Sequence, residues 1–108
     1  MPAQELSDVT DKMFKTIVSD IKETSKEYMK HEPNWVTAVR YQKMALDQFI
    51  HSPGALYHVA LASQIVFRGV NENKLSRLYG ALAYFLDTKA LPRDYAEITS
   101  LGVSTAAA

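Results

Sequence analysis

The sequence predicts an all-α protein, a compact bundle of four to five helices, and three observations carry that expectation. Apolar residues recur at helical spacing through most of the chain. The periodic segments are separated by clusters that stop helices: His31-Glu32-Pro33-Asn34, Ser52-Pro53-Gly54, Gly69-Val70-Asn71 and Leu91-Pro92. The length of 108 residues suits one domain, large enough for a core and too small for a second one. Residues 1–102 are therefore read as a single domain, and 103–108, VSTAAA, as a loose C-terminal tail of small, unpatterned residues.

The first helix is expected to begin at Ser7, an N-cap, with Asp8 and Asp11 in the turn where the helix dipole favours negative charge. Val9, Met13, Ile17, Ile21 and Tyr28, with Phe14 and Val18 beside them, form its apolar stripe. Lys12, Lys15, Lys22, Lys26 and Lys30 lie off that stripe, and Asp8–Lys12 and Asp11–Lys15 are i,i+4 pairs in the favourable order. Pro33 disfavours a helical residue before it, so the helix ends there and Asn34 can cap the second. Trp35, Val39, Leu46, Phe49 and Ile50 make the main stripe of the second helix, and Ala38, Tyr41 and Ala45 add another, which implies more than one neighbour.

In the third helix Ser52 is the expected N-cap and Pro53 takes the first position, where its missing N–H costs nothing. From Ala55 to Phe67 it is apolar almost all round, interrupted mainly by His58, Ser63 and Gln64, which predicts a place at the centre of the domain. Gly69 is expected to end it in a left-handed conformation and Asn71 to cap the fourth, with Val70 and Leu75 placed as a hydrophobic staple. Leu75, Leu78, Tyr79, Leu82, Phe85 and Leu86 continue as a helical stripe, and Gly80, Ala81 and Ala83 would allow another helix to come close. Arg93 to Leu101 reads either as a fifth short helix ending at Gly102 or as an extended segment.

Composition removes several function classes. Lys plus Arg equals Asp plus Glu, so no net field draws the whole molecule to nucleic acid or an anionic membrane, and such binding needs a local patch. Without cysteine there is no disulfide or thiolate metal site, which suits a reducing cytoplasm. MPAQELSD has no apolar core of a secretion signal, and the longest apolar run, Gly80 to Leu86, is too short to span a bilayer, so a cytoplasmic protein is expected. His51 and His58 are separated by the Pro53-Gly54 boundary, and no HExxH pattern occurs, so capping or surface roles are expected and no metal or cofactor is called for. The four glycines are too scattered to cradle a phosphate, and no serine sits in a nucleophile elbow. An enzyme is not expected, and no small-molecule substrate suggests itself. Trp35 and the tyrosines could stack on bases, but at helical spacing among aliphatic residues they read as core.

The stretch GVNENKLSRLYGAL, from Gly69 to Leu82, has the ingredients of a helix-turn-helix at helices 3 and 4. Gly69, Val70 and Asn71 supply the turn, the apolar anchor and the cap. Leu75 and Leu78 supply the buried stripe, leaving Glu72, Asn73, Lys74, Ser76 and Arg77 outside it. Arginine and lysine read guanine or phosphate, asparagine reads adenine, and serine touches base or backbone, so Asn71, Asn73, Lys74, Ser76 and Arg77 are the candidate DNA-binding residues. The bland alternative is that polar residues in a first helical turn serve only capping and solubility.

Read without gaps from Gly69 through Thr99, the chain resembles the DNA-binding part of the plasmid KorA (TrfB-type) transcriptional repressors. The shared features are GV, then LS, then Lys89, LP at Leu91-Pro92, YA at Tyr95-Ala96, and Ile98-Thr99. In that family the helix-turn-helix reads an operator in double-stranded DNA as a dimer. The resemblance implies that Asn73, Lys74, Ser76 and Arg77 face the operator. It also implies that Tyr95 to Leu101 lie near a subunit interface, with Tyr95, Ile98 and Leu101 as the expected dimer contacts. The expectation is a small repressor-like DNA-binding regulator, supported by Arg68, Lys74, Arg77, Lys89 and Arg93. Its rival is a helical interaction or assembly factor, plasmid- or phage-encoded, that contacts no DNA, which net neutrality and the apolar continuation GALAYFL favour.

Overall fold

Helix starts and stops set by local chemistry divide the chain into five helices, seen in a computed structural model that describes residues 3–31 and 36–103. They are α1 (Ala3–His31), α2 (Val36–Gln48), α3 (Pro53–Gly69), α4 (Asn73–Thr88) and α5 (Tyr95–Ser100). The all-α bundle expected from periodicity is present, and no strand occurs among the described residues. Asn34, Trp35 and the tail from 104 onward lie outside the described residues. The first helix starts at Ala3, four residues before the expected Ser7 cap, because Ala3, Gln4, Glu5 and Leu6 are themselves good helix formers.

Buried residues from every helix meet in one core: Ile17, Ile21 and Tyr28; Val39 and Leu46; Leu56, Ala60 and Phe67; Leu75, Leu78, Tyr79, Leu82 and Phe85; and Ile98. The centre is α4 rather than α3. Eight of its residues are buried, and it packs on α1, α3 and α5. The apolar surround of α3 is divided instead: Leu56, Ala60, Ser63 and Phe67 face inward, while Ala62, Ile65 and Val66 are left exposed.

The α3–α4 connection corrects the expected caps. Gly69 is the last helical residue of α3, and no described glycine has positive φ. Asn71 takes the left-handed conformation at φ 61°, which asparagine tolerates better than most residues. Its N–H donates to the Arg68 carbonyl at 3.1 Å and that of Glu72 to the Phe67 carbonyl at 2.8 Å, the paired bonds of a Schellman motif. Glu72, not Asn71, is then the N-cap of α4, and the staple positions move one residue along, so Val70 packs on the core outside that arrangement. Lys89 ends α4 in the same left-handed way, at φ 60°, with its N–H on the Phe85 carbonyl at 2.7 Å.

Polar residues inside the fold join helices. Ser63 Oγ donates to Gln42 Oε1 at 3.0 Å, clamping α3 to α2. Ser76 Oγ donates to the Gln64 carbonyl at 2.9 Å, and a Cβ added at Gly80 would stand 2.8 Å from Gln64 Nε2. The small residues Ser76 and Gly80, one turn apart, thus let α3 and α4 approach closely. Phe67 stacks on Tyr79 at 5.8 Å, and Pro53 and Tyr57 share a cleft with Leu86 and Asp87 at the opposite end. The two helices therefore run antiparallel, side by side, over their whole length.

Candidate functional site

That geometry decides what the α3–α4 turn can present. A DNA-binding helix-turn-helix sets its two helices at roughly 90–120°, so that the second stands free to enter a groove. Here α4 lies along α3 as an antiparallel helical hairpin, with α1 and α5 on its other sides. Of the residues expected to face an operator, Asn71 and Asn73 are exposed and Lys74 is half-buried. Ser76 is withdrawn from that group, 4% exposed with its hydroxyl committed to α3. Glu72, also expected outside the stripe, is 2% exposed. The buried stripe of α4 is wider than Leu75 and Leu78 alone, because α3 covers the 72–76–80 side.

Arg77 is exposed but bound: its Nη2 forms an ion pair with Asp94 Oδ2. It lines a shallow groove with Gln64, Gly80, Tyr84, Pro92 and Asp94, so this part of α4 is recessed between α3 and the Pro92–Asp94 segment. Lys89 does not join the basic cluster, since it stands at the far end of α4, about 22 Å along the helix axis from Lys74 at 1.5 Å per residue. What remains at the turn is Arg68, Asn71, Asn73 and Lys74.

The expected dimer contacts are largely used within the chain. Ile98 is 3% exposed in the chain's own core. The Tyr95 hydroxyl donates to Asp20 Oδ2 at 2.6 Å, joining α5 to α1, and Leu101 is half-buried. The Tyr95 phenol is pushed up from its ordinary pKa by burial, then by the hydrogen bond to Asp20 and that residue's charge. Burial, with a smaller contribution from the Asp47 charge, pushes the Tyr79 phenol up as well.

Among the described residues no group of three or more His, Asp or Glu side chains is placed to hold a metal, and His51 and His58 are exposed. A cleft of about 490 Å³ between α1 and the α2–α3 turn has ion pairs Lys15–Asp11 and Lys22–Asp47, each at 3.0 Å, on its flank. No described helix is long and apolar enough to cross a membrane.

The surface that folding leaves unexplained is the outward face of α2 and α3. Tyr41 is 67% exposed, Met44 60%, Ile65 66% and Val66 37%. Tyr41 and Met44 lie on α2 and Ile65 and Val66 on α3, the two helices that the Gln42–Ser63 bond joins. Tyr41 and Met44 line a cleft of about 280 Å³ with Thr37 and Arg40. The sequence carries the signal for these residues in the all-round apolar character of the third helix, which by itself predicts burial within the domain. No family model, curated protein or solved structure matches the chain. The likeness to the KorA-type repressors accordingly rests on the residues quoted for it.

Proposed function

We propose that this protein is a non-enzymatic helical interaction factor that docks a partner protein on the outward face of α2 and α3. The carrying observation is that a helix apolar almost all round leaves Ile65 and Val66 in water, while Tyr41 and Met44 of α2 are exposed as well. A helix of that composition is ordinarily buried, and contiguous exposed apolar surface marks interaction sites. The test is co-purification from the cells that carry the gene. A Tyr41→Glu, Ile65→Glu double variant that folds normally loses the partner, whereas retention of the partner would end this reading.

A second reading, DNA binding through the α3–α4 turn, is favoured by the exposed Arg68, Asn71 and Asn73 beside Lys74. It predicts duplex binding that weakens with salt and is reduced by Asn73→Ala with Lys74→Ala. Full retention of binding in that pair would remove it. The recessed, ion-paired Arg77 and the buried Ser76 are why it stands second.

A further inference from the structure

We propose that a groove along α1 binds a single-headed aliphatic carboxylate, its head on Lys89 and its chain running over Phe14 toward Val18. Two clefts make the groove: one of about 270 Å³ between α1, the α2–α3 turn and the end of α4, and the cleft of about 490 Å³ described above. Asp11, Phe14, Ile50 and His51 line both, so the two are parts of one depression. Its floor is apolar and comes from three parts of the fold: Phe14 and Val18 of α1, Ile50 before α3, and Phe85 and Leu86 of α4. The rings of Phe14 and Phe85 lie 6.1 Å apart, and Phe14, Ile50 and Leu86 are only partly covered by the chain itself. An apolar cleft with a few polar groups at its edge is the usual form of a small-molecule site.

Charge sets the chemistry of the occupant. Three lysines line the groove, and two of them are bound to acids at 3.0 Å, Lys15 to Asp11 and Lys22 to Asp47. Lys89 is exposed at one end and pairs with no acid among the described residues. Its Nζ donates to the Leu86 carbonyl at 3.0 Å and stands 6.0 Å from the centre of the Phe85 ring. An ammonium carries three donors, so this bond leaves others for a ligand anion. Glu23 lines the opposite end and pairs with no cation among the described residues. The groove therefore has a direction: an anionic head is attracted at Lys89 and a second one is repelled at Glu23.

Length follows from α1. Thr10 lines the first cleft with Lys89, and Val18 lines the second. They are about 12 Å apart along the helix axis at 1.5 Å per residue. A chain of roughly ten carbons, at ~1.2 Å per bond when extended, covers that floor and stops short of Glu23. A peptide suits the groove less well, because its backbone N–H and C=O groups would lie on a floor that offers them no partner.

The test is titration of the purified full chain with decanoate, kept below the concentration at which it forms micelles, followed by amide chemical shifts and calorimetry. The expected result is saturable binding, with shifts centred on Phe14, Val18, Ile50 and Leu86 and absent at Tyr41 and Ile65. Lys89→Gln should weaken decanoate by about fivefold, the scale of one partly exposed charge pair, and leave decanol unchanged. Glu23→Gln should strengthen decanedioate, the dicarboxylate of the same length, more than decanoate. Decyltrimethylammonium should bind the native chain more weakly than decanoate does, with the order reversed in Lys89→Glu. No saturable binding, or shifts centred elsewhere, would overturn the groove as a site. Equal binding of the anionic and cationic amphiphiles, or undiminished decanoate binding in Lys89→Gln, would overturn the placing of the head. None of these outcomes touches the docking reading above, since Tyr41, Met44, Ile65 and Val66 line neither cleft.

Discussion

The hydroxyl of Tyr95 donates to Oδ2 of Asp20 at 2.6 Å, bonding the last helix of the bundle to the middle of the first across 75 positions of sequence. Because the acceptor is a carboxylate and the pair is only partly buried, Tyr95→Phe is expected to cost about 1 kcal/mol, measured by urea unfolding. No loss of stability would show that α5 is held by Ile98 alone.

Burial of the Tyr95 phenol, together with its bond to Asp20, sets a pH dependence. The folded phenol of Tyr95 titrates above its unfolded value of about 10, so its stabilisation is fully present below that pH and is lost as pH rises toward the folded value. Melting temperature should fall above about pH 10, and less steeply in Tyr95→Phe. Parallel pH profiles for the two proteins would contradict the assignment.

Tyr79 behaves differently, because its buried hydroxyl has no hydrogen-bond partner among the described residues. A buried unpaired hydroxyl costs on the order of 1–3 kcal/mol, so Tyr79→Phe is expected to stabilise the protein, by about 1 kcal/mol, while keeping the stack on Phe67. A destabilised Tyr79→Phe would mean that the hydroxyl is satisfied in solution.

Ser76 and Gly80 test the close approach of α3 and α4. Ser76→Ala removes the bond to the Gln64 carbonyl and is expected to cost about 1 kcal/mol in thermal unfolding. At Gly80, the gain of about 1 kcal/mol that alanine brings to a helix interior competes with the Gln64 side chain lying 2.8 Å from the new Cβ. Gly80→Ala should therefore gain more stability in a Gln64→Ala background than in the native one. Equal effects in both backgrounds would rule out the contact.

At the turn, Asn71→Ala should lower stability by about 1 kcal/mol, since alanine lacks asparagine's tolerance for φ 61°, and Asn71→Gly should hold or raise it. Both variants are read by melting temperature, and an Asn71→Ala protein as stable as the native one would show that the turn adopts another conformation.

Much of the bundle is legible in local chemistry. Pro53 at the first position of α3, the helical stripe of α4 and the Asp11–Lys15 pair all stand where spacing and capping rules put them. What spacing could not convey is how helices face one another. Gly69-Val70-Asn71 reads equally well as a helix-turn-helix turn and as the Schellman stop of an antiparallel hairpin. The bonding of Ser76 to Gln64, the stack of Phe67 on Tyr79 and the cleft that Pro53 and Tyr57 share with Leu86 and Asp87 distinguish them. The same blindness hid the α2–α3 face, because apolar residues on every side of a helix do not say whether the last side is covered by the same chain or by another. Ser76 and Glu72 read as surface positions for a related reason: buried polar side chains look like surface residues until the neighbour is known.

The most direct test of the docking face is site-specific photocrosslinking in the cells that carry the gene, with a benzophenone amino acid placed singly at Tyr41, Ile65, Asn73 or Lys26. Lys26 serves as an exposed control on α1. A discrete protein adduct is expected from positions 41 and 65 and none from 73 or 26. Adducts confined to position 73, with DNA as the crosslinked species, would contradict it.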